Sequence, residues 1–334
     1  MNHEPHPFAR FVRILARGKS FTRSLTLEEA EEAMGMILAG DVLPEQLGAF
    51  LMLLRLKEES AEEIAGFARA ARKSTGPVTA GAVDIDWSCY AGKRRQLPWF
   101  LLAALVLARN GWRVFMHGFD GHTAGRLYTG ETLEWLGAPL AKDLADAERM
   151  LAETNFAYLP LDRLCPKLAE MMALRPVFGL RSPVHTLARM INPFEAPCMM
   201  QGVFHPGYMR IHRDAAILLE QPRMSVFRGE GGEIERRPGK PCEVMYAVDG
   251  AGFEERWPPM MDEPRQTPDE NMEIARLLAV WRGEASDDYA EASIIGTLAI
   301  VLRTMDAELD MDKAQARAAH LWINRDKGRL LAAA

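Results

Sequence analysis

The sequence predicts an α/β protein in which a small all-helical N-terminal domain precedes a larger α/β domain with a mainly parallel central sheet. Three observations carry this. Capping boxes open two of the helices expected within the first 75 residues. Past Thr75-Gly76-Pro77 the pattern changes to short apolar strands alternating with helices. A chain of 334 residues, 48% hydrophobic and 26% charged, is also long enough to bury a large core in about two domains.

The first helix is marked by Phe8, Phe11, Val12 and Leu15, spaced to form one amphipathic face, with Arg10, Arg13 and Arg17 on another. The next opens at Thr26-Leu27-Glu28-Glu29 and is stopped by Gly40. Pro44 to Leu56 reads as a helix that is apolar nearly all round, which predicts burial in the domain or in a subunit interface. Ser60-Ala61-Glu62-Glu63 opens a fourth helix, running to about Arg72. Strands are then expected at Val83 to Trp87, Val114 to Met116, Met199 to Phe204, Met224 to Phe227 and Glu243 to Val248. An apolar helix from Trp99 to Arg109 separates the first two. Closing helices are expected at about 269–282, 287–306 and 311–332. The predicted division is 1–75 as a helical dimerisation domain, completed by helices from about 141–178, with 76–140 and 179–334 forming the α/β domain.

Other bounds are broad. The net charge of −6 argues against a nucleic-acid protein when taken alone, so the placement of the basic segments must decide. Cys89, Cys165, Cys198 and Cys242 form no CxxC pair and read as reduced thiols. The longest apolar run, Leu97 to Ala108, is shorter than the ~20 residues of a membrane span. No signal peptide is read at the N-terminus, and a cytoplasmic location is expected. His185, His205 and His212 lack metal-ligand spacing, so no metal site is expected.

Four stretches carry a family resemblance: residues 25–72; 114–140 (VFMHGFDGHTAGRLYTGETLEWLGAPL); 175–197 (RPVFGLRSPVHTLARMINPFEAP); and 202–219 (GVFHPGYMRIHRDAAILL). Their order and spacing resemble the anthranilate phosphoribosyltransferases, of glycosyltransferase family 3 and the nucleoside phosphorylase/phosphoribosyltransferase-like fold. The resemblance implies a dimer formed through the helical domain.

The chemistry of that family is where the sequence departs. Its glycine-rich diphosphate loop is replaced by Ser88-Cys89-Tyr90-Ala91-Gly92 followed by Lys93-Arg94-Arg95, and Tyr90 is expected to fill diphosphate space. A further phosphate and magnesium turn becomes Pro98-Trp99-Phe100-Leu101. The motif lysine is Met116, leaving His117 and Gly118. The magnesium-binding acidic pair aligns with Gly232-Glu233, and one carboxylate is a poor magnesium site, so no cofactor is expected. Arg175, Arg181 and Asn192 remain from the family's ligand site. The AGKRRQLPW segment, 91–99, is similar to a YbiB-type branch that lacks the phosphoribosyl diphosphate loop, which implies a nucleic-acid-binding homodimer without catalysis.

The functional expectation is therefore sequence-independent binding of nucleic acid through backbone phosphates. It is assigned to Lys93, Arg94 and Arg95, with Arg10, Arg13 and Arg17, and with Arg236, Arg237 and Lys240 in a Gly/Pro-rich turn. Two alternatives stand beside it. One is a phosphoribosyltransferase or other glycosyltransferase with an altered substrate, in which the 93–95 cations replace the glycine loop. The other is a protein-interaction module using the acidic helical surface.

Overall fold

The structure, a computed structural model, describes residues 4–18, 20–121, 123–262, 268–269 and 271–331. Helices α1 (Ala9–Ala16), α2 (Leu27–Ala39), α3 (Pro44–Lys57) and α4 (Ala61–Ser74) come first. The predicted capping boxes form: the Glu29 amide donates to Thr26 Oγ1 at 3.2 Å, and the Thr26 amide to Glu29 Oε2 at 2.9 Å. Ser60 and Glu63 repeat the arrangement at the start of α4. Helix α1 packs on α3 and α2 on α4. The second pair approaches so closely that a Cβ on Gly66 would lie 2.2 Å from the Leu27 carbonyl oxygen, which only glycine tolerates.

Helix α3 settles one expectation. Phe50, Leu51 and Leu54 are fully buried within the chain itself, with Phe50 edge-on to Phe8 (5.2 Å) and to Phe67 (6.0 Å). Its apolar surface largely serves this chain's own core; Leu56, at 85% exposure, is the exception.

Beyond α4 the chain builds one seven-stranded sheet in the order β3-β2-β1-β4-β5-β6-β7. The strands are β1 (Ile85–Cys89), β2 (Val114–Gly118), β3 (Phe156–Pro160), β4 (Cys198–Val203), β5 (Arg223–Arg228), β6 (Cys242–Val248) and β7 (Ala251–Trp257). The first five in this order are parallel; β6 and β7 add an antiparallel hairpin. Residue alternation sends Ile85 and Trp87 to one face, under the wholly apolar helix α5 (Phe100–Arg109), and Met199, Met224 and Val226 to the other, where the helical region packs. Two cores thus sandwich one sheet.

Strands β3 and β7 were not anticipated. The first lies within 141–178, expected to be helical, so that stretch also supplies an edge of the sheet. The last helix ends at Ile323 rather than near 332, which lies outside the described residues. All four cysteines are buried and unpaired with one another. No described helix is long and apolar enough to cross a membrane.

Candidate functional site

Parallel strands of an open α/β sheet point their carboxyl ends at a crevice where strand order reverses, here between β1 and β4. The segments following β1, β4 and β5 meet there. The segment after β1 is tied to the one after β2 by paired backbone hydrogen bonds between Lys93 and Leu127, each 2.8 Å. Arg126 reinforces the tie, donating to the carbonyls of Ala91 (2.7 Å) and Gly92 (3.1 Å).

The loop amides have an internal occupant. Those of Ala91 and Gly92 both donate to Glu233 Oε1, at 2.6 and 2.5 Å, from the segment after β5. Glycines make that approach possible: a Cβ on Gly229 or Gly202 would strike the Glu233 backbone at 1.5 or 2.5 Å. Burial raises the Glu233 carboxyl above its ordinary pKa, opposed by Arg189 and by the two amides. Two residues on, Glu235 accepts from the Phe100 amide at the start of α5 (3.0 Å) and forms a fully buried ion pair with Lys93. Burial pushes Glu235 up to about 7, against the pull of Lys93. The chain's own carboxylates therefore stand where a helix N-terminus and loop amides would otherwise take phosphate.

Several sequence expectations are corrected by this arrangement. Lys93 is 1% exposed and committed to Glu235, so it cannot reach an external phosphate. Arg236 is equally buried, donating to the Pro258 carbonyl, with its guanidinium over the Trp257 ring. Tyr90 does not fill the loop either. It turns into the core, bonded to His117 Nδ1 at 2.7 Å, and Glu233 is the group that occupies the amides. His117 is enclosed, with its other ring nitrogen 3.4 Å from Asp86. Gly118 allows the Cys89 carbonyl to pass where a Cβ would be only 2.2 Å away. Asn192 is buried at positive φ, bonded to Ala196 and Gln221. These three hold the fold rather than a ligand.

The remaining cations divide. Arg10 is exposed and paired with Glu32, and Arg237 lies 2.7 Å from Glu230. Arg13, Arg17, Arg94, Arg95 and Lys240 are exposed. None of these walls the cavity between the segments after β1 and β4.

What does line it is a set of arginines. A cavity of about 150 Å³ is walled by Arg55, Arg181, Arg189, His205 and Tyr208, with Ala91 and Gly232 also lining it. Arg181 feels the charges of Arg175, Arg189 and Arg126, which together with the larger effect of burial push it down to about 10. One acid, Glu59, lines the cavity with them, its carboxyl raised by burial, and Glu233, next to Gly232 in the wall, is already engaged by the loop amides. His212, also in the wall, is held near 3 by burial and by Arg189. Such a concentration of like charge favours anions. Sequence reading found Arg175 and Arg181 but missed Arg55, Arg126 and Arg189, which are far apart in the chain. Among the described residues no three His, Cys, Asp or Glu side chains gather as a metal site.

Comparison with known proteins places this geometry. A profile described as "Glycosyl transferase family, helical bundle domain" matches residues 10–75. The anthranilate phosphoribosyltransferase of Moorella thermoacetica is 30% identical over 321 residues, 90% of this chain and 94% of that protein. The chain belongs to the anthranilate phosphoribosyltransferase-like family. A protein of Escherichia coli K12 named "Uncharacterized protein YbiB" is 29% identical over 252 residues, 74% of this chain and 78% of its own length. The fold matches anthranilate phosphoribosyltransferase from Thermus thermophilus, with a TM-score of 0.75 at 23% identity over 93% of this chain and 94% of that one. It also matches the Saccharomyces cerevisiae enzyme solved with PRPP and Mg, at 0.77, 16% identity, and 96% and 94% coverage. Against that family's ligands, the loop of this member does not fit a diphosphate: Glu233 holds its amides and Glu235 the helix start.

Proposed function

We propose that this protein binds nucleic acid through backbone phosphates, without transferring a phosphoribosyl group. The observation that carries the reading is the convergence of Arg126, Arg175, Arg181 and Arg189 over a loop whose own anion site is filled by Glu233. The cavity, at about 150 Å³, is below the ~300–1,000 Å³ usual for enclosed small-molecule sites, which favours a ligand lying across the opening. Exposed Arg94 and Arg95 add cationic surface after the loop. The test is binding of a generic oligonucleotide between 50 and 200 mM salt. An Arg175→Ala/Arg181→Ala variant should bind all sequences more weakly, and its log–log salt slope should fall by about 0.7 per lost contact on a single strand. Absence of wild-type binding at 50 mM salt would sink the proposal.

A transferase acting on an altered phosphorylated substrate is the second reading. It is favoured by the near full-length similarity to proteins named as anthranilate phosphoribosyltransferases and by the same arginines. A rise in melting temperature with phosphoribosyl diphosphate and magnesium would support it, because a ligand of the native state stabilises that state.

We also propose a homodimer assembled through the helical domain ending near residue 75. A groove of about 350 Å³ lined by Val42, Leu47, Leu174 and Phe178 supports this, beside Val177 at 77% exposure. Light scattering at micromolar concentration should give twice the chain mass, and Val177→Asp should give the monomer with its fold intact. A monomeric wild type excludes the dimer.

A further inference from the structure

The turn that follows β4 separates two basic cavities, and Phe204 stands on it. Phe204 is 44% exposed. Phe204 and His205 line the cavity of Arg55, Arg181 and Arg189, while Pro206 lines a second cavity of about 300 Å³ on the other side. That second cavity is walled by Arg228, Lys240 and Arg256, together with Arg237, which is already paired, and one acid, Glu243. The guanidinium of Arg228 lies 5.9 Å from the Phe204 ring centroid, and the His205 ring meets it edge-on at 4.9 Å. From below, Gly232 sets the height of the turn. A Cβ there would come within 3.2 Å of Phe204 Cβ, so the segment carrying Glu233 supports the turn closely.

Single exposed hydrophobic residues are common on protein surfaces and call for no explanation by themselves. This one differs in its flanks, since cations lie on both sides and one of them is over the ring. We infer that Phe204 is a stacking platform for an unpaired base, with the flanking arginine cavities taking the phosphates on either side. The inference rests on the nucleic-acid reading above and narrows it to single strands. Every base has a face to stack, so the platform adds affinity without choosing sequence, and Arg228 adds a cation–π contact to the stack. A duplex keeps its bases inside and offers Phe204 nothing to stack on.

The experiment compares a dT20 oligonucleotide with a 20-base-pair duplex by fluorescence anisotropy, for wild type, Phe204→Ala and Phe204→Trp. The expected result is that Phe204→Ala weakens dT20 binding about 5- to 150-fold. Its salt slope and its duplex affinity should stay as in the wild type, and Phe204→Trp should restore dT20 binding. If the wild type binds and Phe204→Ala binds dT20 equally well, the platform is refuted while the nucleic-acid reading stands. An equal loss on dT20 and duplex, or a reduced salt slope, also refutes it, since either would mark a general electrostatic or structural effect. No wild-type binding to either probe overturns both.

Discussion

Replacing Lys93 with methionine will destabilise the fold by about 3–5 kcal/mol at pH 8, and by much less at pH 5. Lys93 and Glu235 are an ion pair with no solvent access, and removing one partner leaves the other as an uncompensated buried charge. The pH dependence follows from the carboxyl group. Burial already places Glu235 near 7 in the folded protein, above the ordinary carboxylate value. A carboxyl raised by folding favours the native state in acid, and that stability is lost as pH rises through the folded value. Without Lys93 the folded value moves higher, so the variant loses stability over a wider range, chiefly above 7, while both proteins hold the proton at pH 5. Changing Glu235 to glutamine in the same chain removes the charge, keeps an acceptor for the Phe100 amide, and should recover most of the loss. Urea unfolding followed by tryptophan fluorescence at the two pH values measures this. A loss below about 1 kcal/mol at pH 8, or an equal loss at both, would show that the pair is not the fixed element described here.

The second large effect is on catalysis. Transfer of a phosphoribosyl group to anthranilate is expected to be at least about 10⁴-fold below an ordinary turnover of ~10 s⁻¹. Two backbone donors of the loop are occupied by Glu233, and losing one preorganised donor commonly lowers rate by about 10²–10³. The same geometry predicts a gain in the reverse experiment. Glu233→Ala frees both amides, and inorganic diphosphate should then raise the melting temperature of the variant but not of the wild type. Turnover near 1 s⁻¹ by the wild type overturns the prediction. So does a diphosphate response that is the same in both proteins.

The framework was legible in the sequence because it depends on local signals. Thr26/Glu29 and Ser60/Glu63 cap helices wherever the chain goes next, and the apolar run of α5 has no other place than a core. Strand β3 escaped because Phe156–Pro160 is short and sits among helical residues; its pairing with β2 is the signal, and that is not local. β7 escaped because Glu254, Glu255 and Arg256 break the apolar pattern on an edge strand. The site was half legible. The loss of the glycine loop could be read directly, but the run Lys93-Arg94-Arg95 looked uniform although burial divides it. Nothing near Lys93 in sequence announces Glu235, more than a hundred residues later. The arginines of the cleft come from four separate segments and meet only through the sheet.

The carboxylate held by the loop amides bears on the energetics of association as well. A loop that must gather around its ligand loses conformational freedom when the ligand arrives, and that loss is subtracted from affinity. Here Glu233 orders the loop from within the chain, and Gly202 and Gly229 hold its backbone in close contact. The floor beneath Arg181 and Arg189 is set before any partner approaches. Binding across it should therefore carry little ordering entropy, and its heat-capacity change should be small, reflecting contact rather than folding.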